Sequence, residues 1–137
     1  MSGVRFFFMP LLAVLAVGSA LAQSSPGLST DMLCAVTHIV ECSSDDECIS
    51  GSAGDIYIPT FLRIDLDKKQ IHTRDKAHLD QLTEIQSFTR LGERLLLQGV
   101  DGVRAWSAVI SVNSGEMTAT ISDHDLAFVL FGECTVP

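Results

Sequence analysis

The sequence predicts an all-β domain: a small antiparallel meander of about eight strands, closed into a barrel and stapled by disulfides, with a two-sheet β-sandwich as the alternative arrangement. Three observations predict it. Apolar and polar residues alternate with a period of two in several short runs, most plainly in "FLRIDL", where Leu62, Ile64 and Leu66 alternate with Arg63 and Asp65. Turn signals separate those runs at short intervals and leave little room for helices. Four cysteines stand in a chain of 137 residues.

The N-terminus indicates the compartment. Arg5 precedes an almost wholly apolar run from Phe6 to Val17, and Ala20-Leu21-Ala22 stands ahead of the polar Gln23-Ser24-Ser25. This is the pattern of a secretory signal peptide, residues 1–22, cleaved after Ala22. A membrane anchor needs roughly 20 apolar residues, and no cysteine follows the cleavage position to take a lipid. A loose lead-in marked by Pro26 and Gly27, residues 23–31, then precedes a single domain, residues 32–137. The mature chain is expected to have no membrane span and to be periplasmic or secreted. Cleavage removes Arg5 alone among the 9 basic and 17 acidic residues, taking the net charge from −8 to −9. That excess repels the phosphates of nucleic acid and anionic lipid and is compatible with a basic protein as partner.

In an oxidising compartment four cysteines read as a disulfide set, for which three pairings are possible. The expected pairing is Cys42 with Cys48 and Cys34 with Cys134. Cys42 and Cys48 enclose five polar residues, a reach suited to a hairpin tip, while Cys34 and Cys134 lie in the first and last strand-like runs. On chain-entropy arithmetic a loop of about 100 residues contributes about 4.7 kcal/mol and the short loop about 2 to 2.5. The C-x5-C spacing fits neither a common zinc pattern nor a C-x-x-C redox pair. Ser43 to Glu47 also lacks the alternating oxygens and glycine turn of a calcium loop.

The elements follow in order. Met32 to Val40, which carries Cys34, is a strand. Ile49 to Pro59, with Gly51, Gly54 and Pro59, is a loop holding a short extended piece at Ile56 to Ile58. "FLRIDL" turns at Asp67-Lys68-Lys69 and returns as "QIHTR". Asp75 to Gln81 is polar and is expected to form a helical turn, since Leu79, Leu82 and Ile85 sit at roughly helical spacing. "TEIQSFT" and "RLLLQGV" form a hairpin in which Gly92 takes positive φ. Asp101-Gly102 is a second turn, Asn113-Ser114-Gly115 a third between "VRAWSAVISV" and "EMTATIS", and Ser122 to Asp125 a fourth leading to "LAFVLFGEC". With an even number of antiparallel strands, the start of the first lies beside the end of the last, which brings Cys34 to Cys134.

Little in the chain points to catalysis. There is no G-x-S-x-G elbow and no glycine-rich phosphate loop, and the cysteines are consumed in disulfides. Asp65 and Asp67 read as a solvated hairpin beside Lys68 and Lys69, and His72 as a surface residue. The best metal-like cluster is Asp123, His124 and Asp125, yet a turn rich in Asp needs no metal to explain it, so no metal or other cofactor is expected. Trp106 shares a strand face with Ile110, as Phe128 does with Leu130. If these four meet they form either a core layer or an apolar pocket for a small ligand.

In "LLLQGVDGVRAWSAVISVNSGEMTAT", "FLRIDLDKKQI" and the terminal "FVLFGEC", the chain resembles a family of small exported bacterial proteins of unassigned function, which implies a cell-envelope location. In size, architecture and the Ser114-Gly115 turn it is also similar to periplasmic inhibitors of C-type lysozyme. The tyrosine that follows that turn and the later Lys-Gly are absent, so no inhibitory residue carries over. The expectation is a non-catalytic, exported binding or structural module, with an inhibitor of a basic hydrolase such as lysozyme and a small carrier of an apolar ligand as the alternatives.

Overall fold

The computed structural model describes residues 30–56, 58–75 and 78–135, all strand, turn or irregular chain with no helix among them. The expected signal peptide and residues 23–29 of the lead-in lie outside the described residues. Ten strands form one antiparallel sheet: β1 Asp31–Ser43, β2 Ile49–Gly51, β3 Phe61–Asp65, β4 Gln70–Asp75, β5 His78–Glu84, β6 Ser87–Leu91, β7 Arg94–Asp101, β8 Arg104–Ser111, β9 Glu116–Ser122 and β10 Leu126–Thr135. Their spatial order is β5-β4-β3-β1-β10-β9-β8-β7-β6, with β2 set beside the far half of β1.

First and last strands pair as expected. β1 runs antiparallel to β10, with Cys34 opposite Cys134, and a disulfide joins them. Along its other side β1 pairs with β3 over Asp31 to Ala35 and with β2 over Ile39 to Glu41. The register with β10 shifts between Val36 and His38, so Thr37 is an extra residue that changes the parity of the strand. Before it Met32, Cys34 and Val36 are buried; after it Ile39 is. The chain around this bulge is tied by Thr37 Oγ1, which donates to Phe131 O at 3.2 Å. Asp31, the last residue of the expected lead-in, already belongs to the sheet, and its carboxylate receives Arg63 Nε at 2.9 Å.

Period-two patterning placed most strands correctly. Leu62, Ile64 and Leu66 turn inward from β3 and its turn, Leu95 and Leu97 from β7, Ala108 and Ile110 from β8, and Phe128, Leu130 and Cys134 from β10. Gly92 and Gly102 take φ of 58° and 60° in their turns.

Four expectations are corrected. The described residues form ten strands rather than about eight. Ile56 lies in a turn, and the short strand of that loop is Ile49–Gly51 instead. Of the polar stretch expected to form a helical turn, Asp75 ends β4 and His78 to Gln81 belong to β5, while residues 76 and 77 lie outside the described residues; β5 pairs with β4 from Thr73↔Gln81 to Gln70↔Glu84. The helical spacing misled because Gln81 and Thr83 face the concave side while Leu82 is 52% exposed on the other. Ladder bonds to β4 outweigh a weak local preference.

The fourth correction concerns closure. "TEIQSFT" is not one strand but the end of β5 and most of β6, broken at Ile85-Gln86, where the chain leaves one edge of the sheet and enters the other. Ile85 N donates to Lys69 O at 2.8 Å on the β4 side, and Gln86 N to Gln98 O at 2.9 Å on the β7 side. An even number of antiparallel steps separates β5 from β6, so the two edges run in the same direction. Parallel neighbours need a crossover of about a dozen residues or more, and this link has two. Among the described residues the two edges share no ladder, and in place of the expected closed barrel there is a curled half-barrel made of a single sheet.

Candidate functional site

The concave face carries a mainly apolar cavity of about 150 Å³. Leu62 and Ile64 of β3, Ile71 of β4, Trp106 and Ala108 of β8 and Leu130 of β10 form its apolar wall. The two limbs of the curled sheet thus face each other across it. Of the four residues expected to form a core layer or a pocket, the structure separates two pairs. Ile110 and Phe128 are buried in the core at 1% and 7% exposure and do not line the cavity, whereas the half-buried Trp106 and the buried Leu130, at 3%, do.

Trp106 is held by its neighbours in the ladder, Gly99 on β7 and Ile121 on β9. A Cβ added at Gly99 would fall 2.4 Å from Trp106 Cζ2 and 2.5 Å from Glu84 O. Only glycine lets the indole and the end of β5 approach β7 this closely. The Trp106 Nε1 atom is buried and has no hydrogen-bond partner among the described residues.

Polar groups gather on the rest of the lining. Thr73, the one buried polar residue in the described core, donates from Oγ1 to Gln81 O at 3.4 Å. Gln81 and Thr83 come from β5, and Asp101 and Arg104 flank the β7–β8 turn. Strand alternation places that turn at the same end of the sheet as the β1–β2 and β9–β10 turns.

The same end holds the acidic segments. The disulfide Cys42–Cys48 clips the β1–β2 turn, as expected, and Ser44 N donates to Asp125 O at 3.0 Å, joining this turn to the one that bears Asp123, His124 and Asp125. Those three expected candidates do come together, with potential ligand atoms within 4.8 Å of one another. The chain reverses here, so the opposite-face rule for a strand does not separate them. His124 Nδ1 lies 2.8 Å from Asp123 Oδ1 and Nε2 lies 3.6 Å from Asp125 Oδ1, while Arg104 Nε reaches Asp123 Oδ2 at 3.5 Å. The hydrogen bond to Asp123, aided by the charge of Asp125, raises the His124 pKa above 6.5. The His124 hydrogen bond in turn lowers that of Asp123. Both imidazole nitrogens face carboxylates already, which makes the trio an ion-pair cluster on a solvated turn.

Other sequence candidates are absorbed by the fold. Asp65 accepts from Lys68 N and Lys68 Nζ, both at 2.9 Å, and so closes the β3–β4 turn, with its pKa lowered by those bonds. His72 lies on β4 opposite Arg63 and Leu82, with its neighbours Ile71 and Thr73 turned to the cavity. Thr73, Thr83 and Arg104 were missed as cavity residues, and Gly99 as the close contact that seats Trp106. A glycine inside the apolar run "LLLQGV" was the one readable signal among them, since glycine within a strand marks a close approach.

The chain matches no protein-family model, no curated protein and no solved structure. Two disulfides are consistent with an oxidising, exported environment. No helix of the described residues is long and apolar enough to cross a membrane.

Proposed function

We propose that this protein is a non-catalytic binding module of the exported compartment, which takes a small, mainly apolar molecule on the concave face of its half-barrel. The single observation that carries this reading is the cavity of about 150 Å³ walled by Leu62, Ile64, Ile71, Trp106, Ala108 and Leu130. A cavity of about this volume lined by hydrocarbon holds a molecule the size of benzene. Burial of apolar surface drives such binding at about 25 cal/mol per Å². The ionisable groups with shifted pKa values are surface carboxylates, Arg63 and His124, all in local hydrogen bonds rather than in the apolar wall. That distribution suits a binder better than a site built for proton transfer.

Native mass spectrometry of protein taken from its own export compartment, followed by solvent extraction, tests the reading. The expected result is a small apolar molecule at near-stoichiometric amount, displaced by added toluene. Ala119→Leu, which fills the cavity from β9, should abolish both signals. A wild-type protein that retains nothing and shows no saturable uptake of toluene would end this reading.

A second reading has its own observation. The bond from Ser44 N to Asp125 O unites two acidic turns at one end of the sheet, and such a surface fits a basic hydrolase such as lysozyme. Purified protein at micromolar excess should then slow lysozyme in low salt and lose the effect in high salt; no slowing in low salt removes the idea.

A further inference from the structure

The cavity has an apolar interior and a polar rim. Its hydrocarbon comes from buried or half-buried residues such as Leu62, Ile64, Ile71 and Leu130, whereas Gln81, Asp101 and Arg104 on the same lining are exposed. Strand alternation turns both charged side chains to the concave face. Leu95 and Leu97 face the core from β7, so Asp101 shares their side of the strand; Ala108 and Ile110 do so from β8, and Arg104 shares theirs.

The two charges on the rim are not equivalent. Arg104 is already drawn to Asp123, with Nε 3.5 Å from Oδ2. The Asp101 carboxylate has neither an ion pair nor a hydrogen bond among the described residues. An anionic ligand would therefore meet an unpaired carboxylate, a guanidinium already shared and a chain of net charge −8. A neutral ligand would leave Asp101 to water. A cation answers the carboxylate, and the net charge draws it in. Because Asp101 is exposed, the cationic group keeps much of its hydration at the rim while its hydrocarbon is buried.

We propose that the site takes a small organic amine, a compact apolar body with one ammonium group, the body against the hydrocarbon wall and the ammonium at Asp101. Gln81 and Thr83, which line the cavity from β5, supply a carboxamide and a hydroxyl oxygen as further acceptors for its N–H groups. This inference rests on the binding reading above and adds the charge of the ligand to it.

The test titrates the labelled methyl groups of Leu62, Ile64 and Leu130 by NMR with benzylammonium, benzyl alcohol and benzoate, and with toluene as the uncharged reference. In low salt benzylammonium should bind about twofold to fivefold more tightly than benzyl alcohol, the range of an exposed ion pair, and benzoate most weakly. High salt should shrink that advantage. Asp101→Asn should bring benzylammonium and benzyl alcohol together. Glu93→Gln, which removes the same charge from the β6–β7 turn at the opposite end of the sheet, should leave the advantage in place. If Asp101→Asn fails to fold, the salt dependence of the wild-type preference decides. Equal binding of benzylammonium and benzyl alcohol, or an advantage lost equally in both variants, overturns the amine assignment while toluene binding keeps the binding reading standing. No perturbation of the three methyl groups by any probe, toluene included, overturns both.

Discussion

Two seams of this sheet, one between its first and last strands and one between its two edges, are built in opposite ways. At the β1–β10 seam, strands about a hundred residues apart share a ladder from Leu33↔Thr135 to Ser43↔Leu126, and the Cys34–Cys134 disulfide lies buried within it. At the β5–β6 seam the two edges are joined by Ile85-Gln86 alone, with one backbone bond to each side. The first seam is dry and crosslinked. Beside the second lies the cavity, with Gln81 and Thr83 of β5 on one side and Trp106 on the other. A small sheet with both edges zipped has an interior just wide enough for its own side chains or one small ligand. Leaving one seam unzipped gives the half-barrel a wall that can receive something else.

The largest effect expected from this contrast comes from unstitching the first seam. Replacing Cys34 and Cys134 together by alanine removes a crosslink that closes 100 residues and should cost about 4.7 kcal/mol, a large part of the stability of a typical small domain. The same change at Cys42 and Cys48, which close only 6 residues, should cost about 2 kcal/mol. Urea unfolding of the two double variants checks the ordering. Equal losses would mean that the long crosslink does not act by restraining the unfolded chain.

Gly99→Ala attacks the second seam. Its Cβ would meet the backbone oxygen of Glu84 at 2.5 Å, an atom that cannot move without moving β5. We expect a loss of about 1–3 kcal/mol, typical of overpacking, with a change in Trp106 emission because the indole is displaced too. A variant with wild-type stability and emission would show that β5 and β7 are not held together as described.

The first seam was far more legible in the sequence than the second. Cys34 and Cys134 mark the ends of the chain, and parity arguments need only an even strand count to place them side by side. The bulge at Thr37 left its trace in the switch from Met32, Cys34 and Val36 to Ile39 as the inward residues, but alternation alone does not say where an extra residue sits. The β5–β6 junction was illegible for a different reason. "TEIQSFT" reads as one continuous strand, and nothing local reveals that its first residues pair with β4 and its later ones with β7; that choice is made by ladder bonds to residues far along the chain. For the site, the parity of Trp106 with Ala108 and Ile110 was readable. Its place in a cavity wall, with Ile110 in the core instead, depends on how far the sheet curls.

The stitched seam continues past its last ladder pair into the bond from Ser44 N to Asp125 O, and Asp125 also faces His124, which raises the question of whether charge helps to hold that end. The His124 pKa is raised, first by its hydrogen bond to Asp123 and then by the charge of Asp125. A group whose folded pKa exceeds its unfolded value stabilises the fold fully below the unfolded pKa, here 6.5. That contribution fades as the pH rises through the higher folded value. The effect on stability should be small, because the His124 side chain is 84% exposed and salt screens such pairs. An NMR titration of the His124 ring should therefore give a midpoint above 6.5. Asp123→Asn should lower it most, Asp125→Asn should lower it less, and added salt should shrink the Asp125 effect more than that of the direct hydrogen bond. A wild-type midpoint at or below 6.5 would mean that the carboxylates do not close on the ring in solution, and that the seam ends at its ladder.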